Sequence, residues 1–200
     1  MNLEDHLGDI IRKARKMSDV SISTAATTAG ISESELSSLE ETGKFSGKIN
    51  FSALGKILGL NPQKLEGIAK GWLPLRKDLS VWRELRVFTT SGEDFSVNCY
   101  LIWDEVTRDA ALFDTGLDAK PVLDCIAENN LSLRHIFITH SHWDHVEALG
   151  KSREAFPKVK IHSGSKNAPV DQRNKPAEIL PLGGLRVTHR ETPGHAEDGV

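Results

Sequence analysis

The sequence predicts two domains of different class, an all-α segment followed by a mixed one, α/β or α+β. Three observations carry this. Up to Lys70 the apolar residues recur at helical spacing and are punctuated by Gly, Asn and Ser. The stretch Gly71-Trp72-Leu73-Pro74-Leu75-Arg76-Lys77-Asp78 then breaks that period. Beyond Val81, short β-rich runs alternate with helical ones. The resulting division is 1–70 for the helical domain, 71–84 for a linker and 85–200 for the mixed domain.

In the first domain Leu3, Leu7, Ile10, Ile11 and Ala14 mark one face of a first helix. Thr24 to Ala29 is a short helix ending at Gly30, and Ser32 caps a third, with Glu35 completing a capping box ahead of Leu36 and Leu39. Asn50 caps a fourth helix through Leu58, and Asn61-Pro62 opens a fifth through about Lys70, proline standing where its missing N–H costs nothing. In the second domain Val87-Phe88, Ser96 to Trp103 and Ala110 to Phe113 read as strands, with turns at Ser91-Gly92-Glu93-Asp94 and Asp104-Glu105. A helix over Lys120 to Asn129, a strand over Arg134 to Thr139 and a helix over Val146 to Phe156 follow. Val159 to His162 and Leu185 to His189 complete the strands.

Composition narrows the function. A chain of 200 residues, 38% hydrophobic and 26% charged, has a globular balance. No apolar run approaches the roughly 20 residues of a membrane span, and Met1-Asn2-Leu3-Glu4-Asp5 lacks the basic flank and apolar stretch of a signal peptide. A cytoplasmic protein without a membrane partner is expected. Residues 1–80 carry 11 Lys/Arg against 10 Asp/Glu, and 81–200 carry 14 against 18, so neither part is basic enough to announce nucleic acid. Cys99 and Cys125 sit in apolar runs and read as reduced, buried thiols. Histidine is the skewed residue: seven of the eight lie beyond residue 130.

The strand Ile136-Phe137-Ile138-Thr139 runs into His140-Ser141-His142-Trp143-Asp144-His145, four metal-ligand side chains in six residues. In an extended segment residues two apart project to one side, so His140 and His142 can converge on one ion. Asp144 and His145, at the start of the following helix, reach a neighbouring position. Imidazole and carboxylate donors suit Zn²⁺, Fe or Mn. A distant His195 follows in Thr192-Pro193-Gly194-His195, where Pro-Gly forces a turn. His135, His162 and His189 have no ligand partner at useful spacing and read as surface or hydrogen-bonded core groups.

These motifs resemble the metallo-β-lactamase superfamily, in which H-x-H-x-D-H sits at a strand-to-helix corner and a third histidine lies in a PGH turn. Asn98 in Val97-Asn98-Cys99-Tyr100-Leu101 and Asp114-Thr115-Gly116 after Leu112-Phe113 agree with it. The resemblance spans about residues 85–200 and implies the first part of an αββα sandwich, with a bridging Asp and a last His expected after the PGH turn, outside these 200 residues. It implies that His140, His142 and His195 hold a first metal and that Asp144 and His145 begin a second site, with one or two Zn²⁺ ions, Fe or Mn being alternatives. It further implies a metal-bound hydroxide attacking an ester or thioester carbonyl, as in glyoxalase II-type members, with Asp144 orienting that water as the catalytic carboxylate. Asp114 is the residue expected to fix a ligand histidine from behind.

The helical domain resembles the Cro/C1-type (XRE-like) helix-turn-helix, over about residues 3–68. The residues that carry the likeness are Leu7 to Lys16, Ala25 to Ser32 and Leu36 to Lys44. The resemblance makes Ser32 to Glu41 a recognition helix, with Ser34, Ser37, Ser38 and Lys44 as DNA contacts. Glu33, Glu35, Glu40 and Glu41 place four negative charges on that helix, against phosphate binding. Two functions are therefore expected in competition: a metal-dependent hydrolase, or a transcriptional regulator whose metal domain is a sensor or remnant. The expected partners are a small ester or thioester, DNA through the N-terminal domain, and a second copy of the chain in a homodimer.

Overall fold

The computed structural model describes residues 3, 5–75, 77–93, 95–175, 177–192 and 195–200. Arg76, Asp94 and the expected Pro193-Gly194 turn lie outside the described residues. The chain divides into two compact units, one of Met1–Lys77 with Thr192–Glu197 and one of Asp78–Glu191 with Asp198–Val200. Among the described residues no helix is long and apolar enough to cross a membrane.

The first unit contains α1 (Leu7–Met17), α2 (Ile22–Ala29), α3 (Glu33–Thr42), α4 (Phe51–Ile57) and α5 (Pro62–Ala69). Leu3 stays outside α1, because the helix begins behind an N-cap at His6. The His6 Nδ1 accepts from the Asp9 N–H at 3.0 Å, and Asp9 reaches back to the His6 N–H at 3.4 Å. Ser21, Ser32, Asn50 and Asn61 cap the other four helices in turn. Between α2 and α3 the chain turns at Gly30 with φ 74°, a left-handed conformation open to glycine without steric cost. Ile11, Leu36, Leu39 and Leu54 are wholly buried in one core, each contributing roughly 1.5–3 kcal/mol by leaving water. Glu40 departs from the expected outward-facing acidic row. It is buried and forked by Arg15, Nε to Oε1 and the terminal nitrogen to Oε2, both at 2.7 Å.

The second unit is a five-stranded sheet in the order β1 (Leu85–Ser91), β2 (Ser96–Trp103), β3 (Asp109–Phe113), β4 (Ser132–Ile138), β5 (Lys160–Ser163). The first three strands pair antiparallel, and β3–β4 and β4–β5 pair parallel. Helix α6 (Lys120–Glu128) connects β3 to β4, while α7 (Trp143–Val146) and α8 (Leu149–Ala155) connect β4 to β5. Alternation along the strands sorts two faces. Cys99, Leu101, Trp103, Leu112, Ile136, Ile138 and Ile161 pack with Val122, Cys125 and Ile126 of α6 and with Val146, Leu149 and Phe156. On the other face Ala111, Phe137 and Phe113 meet Leu180, Leu182 and Val187 of the hairpin β6 (Ile179–Leu182) and β7 (Leu185–Thr188).

Two sequence expectations are corrected here. The helix expected over Val146 to Phe156 is two helices. The His145 carbonyl accepts from the Thr115 N–H (2.9 Å) and hydroxyl (3.0 Å), and the Ala148 N–H donates to the Gly116 carbonyl (3.1 Å), so the Asp114-Thr115-Gly116 loop takes bonds that a continuous helix would use itself. Strand β6 was not expected. Its signal was the Gly183-Gly184 pair ahead of β7, a two-residue hairpin connection.

Candidate metal centre

Strand β4 is buried along its second half and delivers Thr139 and His140 to its carboxyl end. His140 is buried, and its Nε2 stands 3.1 Å from Nδ1 of His142, while its Nδ1 is 3.1 Å from the Thr139 hydroxyl. The alternation of an extended segment thus brings the two rings together. The His145 ring centroid lies 4.0 Å from that of His140. His195, the third candidate ligand of the sequence, falls in the other compact unit, with Met1–Lys77.

The spacing of the His140 and His142 rings fits a first-row divalent ion. Bonds of about 2.0–2.1 Å in a tetrahedral site put neighbouring ligand nitrogens about 3.4 Å apart, close to the 3.1 Å between the His140 and His142 rings. The donors at this corner are imidazole nitrogens, which suit Zn²⁺ and its neighbours.

Asp114 organises the centre from the end of β3. It is buried in a left-handed conformation (φ 59°), which Asp tolerates better than most residues. Its Oδ1 accepts from the Thr139 N–H at 2.7 Å, and its Oδ2 accepts from the Thr139 hydroxyl at 2.7 Å and faces His145 Nδ1 at 2.8 Å. With Nδ1 so engaged, His145 turns Nε2 the other way, where Asp144 Oδ2 is 3.7 Å distant. Behind them burial, and then the charge of Asp114, push the Cys99 thiol up to about 11, keeping it a protonated core group.

Two contacts at the site had no reading in the sequence. The Ser141 N–H donates to Asp198 Oδ2 at 3.0 Å, and the Val200 N–H donates to the Thr139 carbonyl at 2.9 Å. Both fasten the histidine loop to residues more than fifty positions away, where local spacing carries no signal. His135 and His162 are not in the centre; they face one another from β4 and β5, Nδ1 to Nε2 at 2.8 Å. Ser34, Ser37, Ser38 and Lys44 all lie exposed on or just after α3.

This strand order and histidine corner define the class of protein to which the second unit is similar. Residues 92–170 match the model of the metallo-beta-lactamase superfamily. The relatives matched include hydroxyacylglutathione hydrolases. That of Rhodopseudomonas palustris (strain BisB18) is 32% identical over 120 residues, covering 58% of this chain and 46% of the relative. That of Bdellovibrio bacteriovorus is 35% identical over 99 residues, covering 48% and 39%. Among solved structures ETHE1 from Myxococcus xanthus is 31% identical with a TM-score of 0.42, covering 50% of this chain and 45% of that one. The chain therefore spans less than half the length of these relatives.

Proposed function

We propose that the second unit is the metal-binding part of a hydrolase acting on an ester or thioester, with a thioester of glutathione the leading substrate class. The observation that carries this reading is the 3.1 Å approach of His140 Nε2 to His142 Nδ1 at the end of β4, in a segment whose relatives are hydroxyacylglutathione hydrolases. His140, His142 and His195 would hold a first divalent ion, zinc before iron or manganese, and Asp144 with His145 would contribute to a second. Such an ion acidifies a water to a pKa near 7 and polarises a carbonyl oxygen. The chain's own residues do the positioning. Asp114 fixes the His145 tautomer, with the proton on Nδ1 and the Nε2 lone pair presented outward. Thr139, held by both oxygens of Asp114, sets the direction in which the backbone hands over His140. Asp144, 3.7 Å from His145 Nε2, would accept a proton and orient the attacking water.

Metal analysis of the purified wild type beside His142→Ala, together with hydrolysis of an acylglutathione, tests this. Bound metal in the wild type, a loss of at least one equivalent in the variant, and thioester cleavage that falls with it are expected. A metal-free wild type that gains none on incubation with Zn²⁺ would overturn the reading.

A second reading concerns the first unit. We infer a helix-turn-helix role from α2 and α3, joined through Gly30 and the Ser32–Glu35 capping box. Burial of Glu40 against Arg15 leaves three acidic residues, Glu33, Glu35 and Glu41, on α3 facing water beside Ser34, Ser37, Ser38 and Lys44. Full-chain binding to duplex DNA that weakens steeply with salt supports this role; no binding at low salt counts against it.

A further inference from the structure

The two aromatic rings next to the histidine cluster belong to neither core of the second unit. Phe95 and Trp143 contact one another edge to face, with centroids 5.5 Å apart and planes at 77°, yet remain 41% and 59% exposed. Trp143 is flanked in sequence by His142 and Asp144, so its ring starts one Cα step, about 3.8 Å, from a candidate ligand on either side. Phe95 comes from the other direction, at the turn between β1 and β2.

The turn is shaped to hold that ring. The Gly92 N–H donates to the Phe95 carbonyl at 2.9 Å, folding the segment back on itself. A Cβ built at Gly92 would stand 2.5 Å from Cε1 and 2.8 Å from Cζ of Phe95, so only glycine permits this approach. A large aromatic pair left in water at a fixed place is costly unless something apolar covers it in use. Here it borders the place where a substrate carbonyl would meet the metal.

The geometry points to Phe95 and Trp143 as a specificity platform that receives the apolar, preferably aromatic, acyl group of the substrate. This rests on the hydrolase reading above and deepens it. The edge-to-face pair presents ring surface on which a planar group stacks, as aromatic pairs do in interiors. The acyl group enters on the platform while its carbonyl is held at the histidines. Short acyl groups such as acetyl do not reach it.

The test uses the zinc-loaded full chain, wild type and the Trp143→Ala, Phe95→Ala and Gly92→Ala variants, with acetyl and phenylacetyl thioesters of one thiol. The wild type is expected to favour phenylacetyl in kcat/KM by about tenfold, the scale of one apolar pocket contact. That ratio is expected to fall toward one in all three variants, Gly92→Ala doing so by displacing a ring that is still present. An independent readout is quenching of tryptophan fluorescence by phenylacetate, present in the wild type, absent in Trp143→Phe and at least fivefold weaker in affinity in Phe95→Ala. Turnover with a ratio and quench insensitive to all variants overturns the platform and leaves the hydrolase standing. Quenching without turnover of any thioester supports the platform and overturns the hydrolase. Neither quenching nor turnover overturns both.

Discussion

Asp114 Oδ2 lies 2.8 Å from Nδ1 of His145 although 31 residues separate them, so one carboxylate ties the end of β3 to α7, beyond β4. The same group accepts from both the N–H and the hydroxyl of Thr139. Its replacement by Asn is compatible with the left-handed backbone at this position but removes the charge and one acceptor. Asp114→Asn is expected to weaken metal affinity by about 10–100-fold, read by competition with a chelator. It should also lower unfolding stability by about 1–3 kcal/mol, since buried partners lose their acceptor. Unchanged affinity would show that His145 does not depend on this contact.

Removing the metal should itself be visible in stability. A ligand that binds only the folded state adds about 4 kcal/mol at a thousand times its Kd. The unfolding transition followed through the buried Trp103 is expected to move to lower temperature with a strong chelator and to return with Zn²⁺. Absence of any shift would argue against a metal in this unit.

The Arg15–Glu40 fork predicts an asymmetric mutational cycle in the helical unit. Both side chains are largely withdrawn from water, at 13% and 6% exposure. Arg15→Met leaves a buried carboxylate unpaired and is expected to cost roughly 3 kcal/mol, whereas adding Glu40→Leu should recover most of it. Urea unfolding of the two proteins measures both. A single variant as stable as the wild type would show that Glu40 finds water or another partner.

Acid should destabilise the mixed unit through the His135–His162 pair. Burial, then the neighbouring His135, hold His162 down to about 4, with Lys160 adding to the effect and Glu178 opposing it. His135 is lowered too, by burial, Lys160 and Arg134 against Asp109. A histidine whose folded pKa lies below its unfolded value of about 6.5 takes up its proton first in the unfolded chain. The stabilising preference for the neutral ring is complete above pH 6.5 and is lost as pH falls toward 4. Both rings are partly open to solvent, so screening reduces the effect to about 1 kcal/mol. His162→Phe should flatten the stability profile between those pH values, and an unaltered slope would remove the pair as its source.

The parts of this molecule written in local spacing were legible in its sequence. Ser32 and Glu35 announced the start of α3, and Asn61-Pro62 that of α5, because a cap needs only three or four consecutive residues. The convergence of His140 and His142 was legible for the same reason, since residues two apart in an extended segment project to one side. What the sequence withheld depends on strands becoming neighbours. His162 stands against His135 only because β4 and β5 pair in parallel in that register, with His135 opposite Lys160 and Phe137 opposite His162. Glu40 looked like one more solvated charge on an acidic helix until α1 and α3 brought Arg15 against it. The break between α7 and α8 was hidden too, because the groups that engage its His145 carbonyl and its Ala148 N–H, Thr115 and the Gly116 carbonyl, lie some thirty residues upstream.

The sheet topology also sets an order of events during folding. Strands β1, β2 and β3 follow one another through short antiparallel connections, so their contacts close small loops at little entropic cost. Strand β4 joins β3 only after the chain has passed through α6, and β5 joins β4 only after α7 and α8. Pairings of that kind are slow. The histidine corner stands at the end of β4, among these late pairings, and the contacts of Asp114 with Thr139 and His145 cannot form before β3 and β4 have met. Until β3 and β4 pair, nothing fixes the direction in which His140 leaves its strand. The corner is thus a product of sheet assembly, and an ion offered to the unpaired chain would meet a different set of atoms.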